Sequence, residues 1–141
     1  MGPAASDDRS ARGVTLIAAA AGCSGVALGA FGSHGLEDFL ASRGMEPETI
    51  AKRLPQFDTA VRYHLVHAVG LLALAGTPGK ISGRCRRQVA ELMAAGLILF
   101  CGSLYLLVLT DTPWLGAITP LGGVSWLISW AWLGLSAWRE T

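Results

Sequence analysis

Four apolar stretches, each close to the length of one bilayer crossing, constrain this chain more than any other feature. They cover about residues 14–32, 59–76, 89–109 and 115–138. At about 1.5 Å per residue, the first is just long enough to pass a hydrocarbon core of about 30 Å. Composition agrees. Charged residues make up 15% of the 141, against 52% apolar, whereas soluble domains carry about 25% charge. Many of the 18 glycines fall inside the apolar stretches, where membrane helices use them to bring backbones together. The reading is an all-α fold: a four-helix transmembrane bundle forming one domain over 13–141, preceded by a disordered polar tail over 1–12.

The connections are polar. Between Glu37 and Asp58, the charges Arg43, Glu46, Glu48, Lys52 and Arg53 mix with Ile50, Leu54 and Phe57, which predicts an interfacial segment between helices one and two. Thr77-Pro78-Gly79-Lys80 opens a loop that runs to Arg87. Asp111-Thr112-Pro113 makes a tight turn, and Pro120 lies near the start of the fourth span. The first stretch is preceded by Arg9 and Arg12, and Cys23 follows a small-residue run. Its apolar character continues to Phe31, so it reads as a retained helix rather than a cleaved signal. Lysine and arginine in the short loops favour a cytoplasmic location for Arg9, Arg12, Lys80, Arg84, Arg86, Arg87 and Arg139. The expected location is therefore a bacterial inner membrane, multi-pass, with both termini cytoplasmic.

Two helices carry stripes of small residues: Ala18, Gly22, Gly25, Gly29 and Gly32 on the first, and Gly122, Ser125, Ser129 and Ser136 on the fourth. Both stripes read as packing surfaces. The second helix is more unusual. Asp58 and Arg62 stand one turn apart, acid first, as suits an ion pair. Tyr63, His64 and His67 lie on a different face. Antiparallel spans bring these to the outer half of the membrane together with His34, Ser103, Tyr105 and Thr119, while the inner half is mainly alanine, leucine, isoleucine and tryptophan. Ionisable groups at that depth face protein or water. The cluster is read as a hydrogen-bonded plug, with a small-solute, proton or ion site, or a metal or haem site using two or three of His34, His64 and His67, as the other two readings. His67 is expected to be buried, neutral and bonded to helices three or four, through Ser103, Tyr105, Ser125 or a carbonyl freed near Pro120.

Other chemistry finds little support. Cys23, Cys85 and Cys101 form no CxxC pair, which suggests neither a zinc knuckle nor a disulfide framework. The polar residues do not complete a convincing ligand set, so no metal or cofactor is expected. No GxSxG, phosphate loop or dinucleotide fingerprint is present, and the chain is not expected to be an enzyme. A net charge of +1 does not suit a nucleic-acid partner. The expected partners are the lipid bilayer and other membrane subunits. The expected function is an accessory or assembly role in a larger membrane complex, the alternative being a carrier or channel for a small solute or proton. Trp126, Trp130, Trp132 and Trp138 on helix four suit a partner surface or lipid headgroups.

Four segments in order also carry a resemblance: GAFGSHGL at 29–36, FDTAVRYHLVHAVGLL at 57–72, LFCGSLYLL at 99–107 and ITPLGGVSWLISW at 118–130. Together they resemble the domain-of-unknown-function 423 family, which includes the animal proteins called transmembrane protein 256. The resemblance covers nearly all of the chain from Gly13 and implies a small four-helix membrane protein with no established activity. His34, Tyr63, His67, Ser103, Tyr105, Pro120, Gly122 and Gly123 match the family pattern. His64 stands where glutamine is usual, and Ser33 and Cys101 where alanine and serine are usual. The segment Gly44 to Leu54 is longer than the family's.

Overall fold

The computed structural model describes residues 3–77 and 81–139, with side chains from Asp8 onward. The described residues are helical apart from short connections and contain no strand. The elements are α1 (Pro3–His34), α2 (Leu36–Ser42), α3 (Pro47–Ala75), α4 (Gly83–Gly96), a π-helical stretch (Leu97–Gly102), α5 (Ser103–Thr110), a 3-10 turn (Pro113–Ala117) and α6 (Thr119–Arg139). The α4, π-helical and α5 segments follow without a break and make one rod. Three rods are long and apolar enough to cross a membrane: Asp8–His34, Gly83–Thr110 and Pro113–Arg139. The α3 helix is not among them: its first half is charged, and its apolar second half still carries Arg62, His64 and His67.

Two expectations from the sequence are corrected here. The tail expected to be disordered is helical from Pro3 onward, continuous with α1. The polar connection does hold a short helix, α2, but from Pro47 it is the first three turns of α3. Pro47 sits where its missing amide costs nothing, and Glu48, Ala51, Lys52 and Leu54 are good helix formers. Helix therefore starts well outside the apolar stretch. The predicted turn at Thr77–Lys80 falls largely on residues 78–80, outside the described residues. The turn at Asp111 is present, with that residue left-handed at φ 49°.

Side-chain contacts set the arrangement. Gly25 faces Leu65, Gly29 faces Val61 and Gly32 faces Phe57, so α1 and α3 run antiparallel. Ser125 reaches the carbonyl of Leu92 and Ser129 that of Val89, so α4 and α6 are antiparallel too. The pairs Phe57–Tyr105 and Tyr63–Phe100 run the α4–α5 rod antiparallel along α3. Ser10 donates to the carbonyl of Gly83 at 3.0 Å and joins the third turn of α1 to the start of α4. One end of the molecule therefore gathers Arg9, Arg12, Thr77, Ile81, Arg84, Arg86, Arg87 and Arg139. The other gathers His34, α2 and the Arg53–Asp111 ion pair. Lys80, counted with the arginine end in the sequence, is outside the described residues. Two apolar clusters fill the interior, one around Leu36, Leu40, Phe57, Cys101 and Val108, the other around Val14, Leu71, Val89 and Met93.

Candidate functional site

The polar residues singled out in the sequence separate into small groups, each held by a different pair of elements. His64, buried on α3, approaches the Tyr105 hydroxyl through Nδ1 at 3.2 Å and the Ser24 hydroxyl through Nε2 at 3.4 Å. Ser24 already donates to the carbonyl of Ala20 at 2.8 Å, so it serves the ring as an acceptor. That arrangement places the imidazole proton on Nε2 and leaves Nδ1 to accept from Tyr105. The resulting line Ser24–His64–Tyr105 ties α1, α3 and α5 together.

Ser103 and Thr119 form a second group, with hydroxyls 2.9 Å apart, linking α5 to the start of α6. Ser103 also reaches the carbonyl of Phe100 at 3.0 Å. Asp58 and Arg62 make the expected ion pair at 2.6 Å on the exposed side of α3, away from both groups. His34 is exposed at the end of α1. It lines an open groove of about 810 Å³ with Glu37, Leu54 and Asp58, and is not joined to the other two histidines. Among the described residues no three of the His, Cys, Asp and Glu side chains gather as a metal-binding set.

His67 is buried, as expected, but its bond is not to a neighbouring helix. Nδ1 lies 2.8 Å from the carbonyl of Tyr63, one turn back in α3. A carbonyl can only accept, so Nδ1 carries the proton. The ring face, rather than a ring nitrogen, meets α6: it stacks on Trp126 with centroids 3.7 Å apart and planes 9° apart. Tyr63 stacks on the same indole at 5.6 Å. The carbonyl expected near Pro120 does not arise, because Pro120 is the second residue of α6, where no amide was required.

Sequence reasoning missed three participants. Trp126 was grouped with the surface tryptophans, yet it is buried at 4% exposure, donates from its indole to the carbonyl of Met93 at 3.1 Å, and presses against Gly96. The signal available was the glycine opposite it in the α4 run. Arg86 reads in the sequence as loop charge, yet it is fully buried and donates to the carbonyls of Thr77 and Ile81 at 3.2 and 3.4 Å, holding those two residues onto the bundle. Ser24 was hidden in the alanine run of α1. Polar contacts also extend beyond the half of the bundle where they were expected. Ser129 bonds to Val89, and Cys85 donates to Ser136 at 3.0 Å near the arginine-bearing end.

Rods of bilayer length, small-residue seams and apolar outer faces define a small integral membrane protein. The model of a family described as "Protein of unknown function (DUF423)" matches residues 28–123, and the chain belongs to that family. It is 47% identical to the UPF0382 membrane protein YwdK of Bacillus subtilis, over 79% of this chain and 85% of that one. It is 38% identical to the UPF0382 membrane protein SSP2132 of Staphylococcus saprophyticus, over 81% and 87%. It is 32% identical to the UPF0382 inner membrane protein YgdD of Escherichia coli, over 91% of each chain. No solved structure matches it.

Proposed function

We propose that the chain is an accessory or assembly subunit of a larger complex in a bacterial inner membrane, without catalytic activity of its own. The observation that carries this reading is how the buried polar side chains are used. His64, His67, Arg86, Ser103 and Ser129 each bond to another side chain or a carbonyl within the bundle. A solute path needs polar groups that face a continuous opening. Here they act as seam contacts, and the outward faces of α3 and α6 are left to large apolar residues such as Val66, Val69, Leu127, Trp130 and Trp138. In this reading α3 is a fourth crossing, through its half from about 59 to 75, which at about 1.5 Å per residue spans roughly 25 Å. Both termini and the arginine-bearing end then lie in the cytoplasm.

Extraction in mild detergent followed by native sizing tests the subunit reading. A particle much larger than the 14.7 kDa chain with its micelle, containing other proteins, is expected; a lone monomer in every mild detergent overturns it. Orientation is tested separately in a chain lacking its three cysteines. A cysteine placed at Arg43 should react with an impermeant reagent in intact cells, and one at Arg84 only after lysis. The opposite pattern reverses the topology.

A further inference from the structure

The geometry points to a binding site for the headgroup of an anionic phospholipid, in the groove between the N-terminal part of α1, from Arg9 to Ile17, and the start of α4. The groove has a volume of about 560 Å³ and is lined by Arg9, Gly13 and Ile17 on one wall and Arg87, Ala90 and Glu91 on the other. Its shape follows from helix geometry. Residues 9, 13 and 17 fall one above another on α1, and residues 87, 90 and 91 occupy one face of α4. The Ser10–Gly83 hydrogen bond fixes the two helices together beside the groove. Gly13 keeps the α1 wall low: a side-chain carbon added there meets no heavy atom within 4 Å.

Charge and polarity are layered as a lipid requires. The two guanidinium-bearing residues stand at the arginine-bearing end, Arg9 at the start of the span Asp8–His34 and Arg87 in the second turn of α4, with Arg12, Arg84 and Arg139 exposed around the same end. Below them the groove is bordered by Ile17, and Leu16 beside it is also exposed. Basic pockets between transmembrane helices are a recurring way to hold anionic headgroups, and guanidinium matches phosphate geometry with paired donors. Among the described residues Glu91 is the one carboxylate lining the groove, and it lowers the attraction. The opposite end offers no equivalent. The groove there is lined by Glu37, Asp38 and Asp58, which repel a phosphate. This site does not depend on the chain being a subunit of anything.

Native mass spectrometry of the full-length protein, purified in a neutral detergent and titrated with phosphatidylglycerol or with phosphatidylcholine of the same chains, tests the site. Phosphatidylglycerol should remain bound where phosphatidylcholine is lost. At about fivefold per arginine, Arg9→Gln with Arg87→Gln should weaken it about twenty-five-fold. Arg43→Gln with Lys52→Gln, which removes the same charge from the other end, should leave it unchanged. Glu91→Gln should tighten binding by up to about fivefold. Gly13→Leu fills the groove without altering charge and should abolish the preference, with circular dichroism confirming that the helices remain. Equal binding of both lipids overturns the site, as does equal loss in the Arg43/Lys52 pair. Unaltered binding in Gly13→Leu reduces the effect to general surface charge and overturns it. Displacement of the lipid by millimolar inorganic phosphate assigns the groove to free phosphate, and a second protein chain in place of the lipid makes it a protein interface; either result overturns the lipid assignment.

Discussion

The bundle is closed by two antiparallel seams that use different chemistry. Between α1 and α3, glycines meet large apolar side chains: Gly25 against Leu65, Gly29 against Val61, Gly32 against Phe57. That seam gains mainly dispersion contact from close approach. Between the α4 rod and α6, side chains donate across the gap to main-chain carbonyls: Ser125 to Leu92, Ser129 to Val89 and Trp126 to Met93. The second seam is also the tighter. A side-chain carbon at Gly122 would collide with the main chain of Phe100, and one at Gly96 with the indole of Trp126. The π-helical stretch Leu97–Gly102 begins beside that indole. Small residues alone therefore do not define a seam; what stands opposite them decides whether it can yield.

The largest effect should come from Gly122→Ala. The colliding atoms belong to the Phe100 backbone, which cannot rotate aside, so the loss should reach or exceed about 3 kcal/mol, the upper end for overpacking. Thermal unfolding in detergent measures it, and a near-neutral result would mean that the α6 seam gives as freely as the α1 seam. His67→Ala removes a ring stacked on Trp126 together with a bond internal to α3. A loss of about 1 kcal/mol is expected from the stack, with insertion into the membrane intact. Ser125→Ala and Ser129→Ala should each cost about 0.6 kcal/mol, the mean for hydrogen bonds between membrane helices. Costs well above about 1.7 kcal/mol would show these bonds to be stronger than the seam comparison assumes. At the small end is Gly22→Ala, a member of the α1 stripe with nothing within 4 Å. It should be neutral or stabilise by up to about 1 kcal/mol through helix propensity. A loss there would place an unseen neighbour against that face.

These seams were partly legible in the sequence. The stripes on α1 and α6 mark real packing faces at Gly25, Gly29, Gly32, Gly122, Ser125 and Ser129, because glycine and serine recurring at helical spacing leave room for another backbone. The Asp58–Arg62 pair was legible for the same reason: both partners sit on one helix, so spacing alone brings them together. The start of α3 was not. Hydropathy reports the solvent a segment prefers, not its backbone conformation, and a charged helix projecting beyond the apolar layer reads as loop. Nor did composition separate Trp126, buried against Gly96, from Trp130, Trp132 and Trp138, which remain outside. That distinction depends on which neighbour faces each ring. Arg86 was read by its charge, whereas its burial is set by the main-chain carbonyls that fold over it. The polar residues read from the sequence as one cluster fall into separate pairs, His64 with Tyr105 and Ser103 with Thr119, since antiparallel spans fix depth and leave rotation about each helix open.

Whether these polar groups glue helices together or line a passage is most directly measured by flux through liposomes containing the pure, full-length protein. The account predicts proton and small-solute leakage no greater than in protein-free liposomes, unchanged by His64→Gln or His67→Ala. A flux that depends on the protein and disappears in either variant would contradict it.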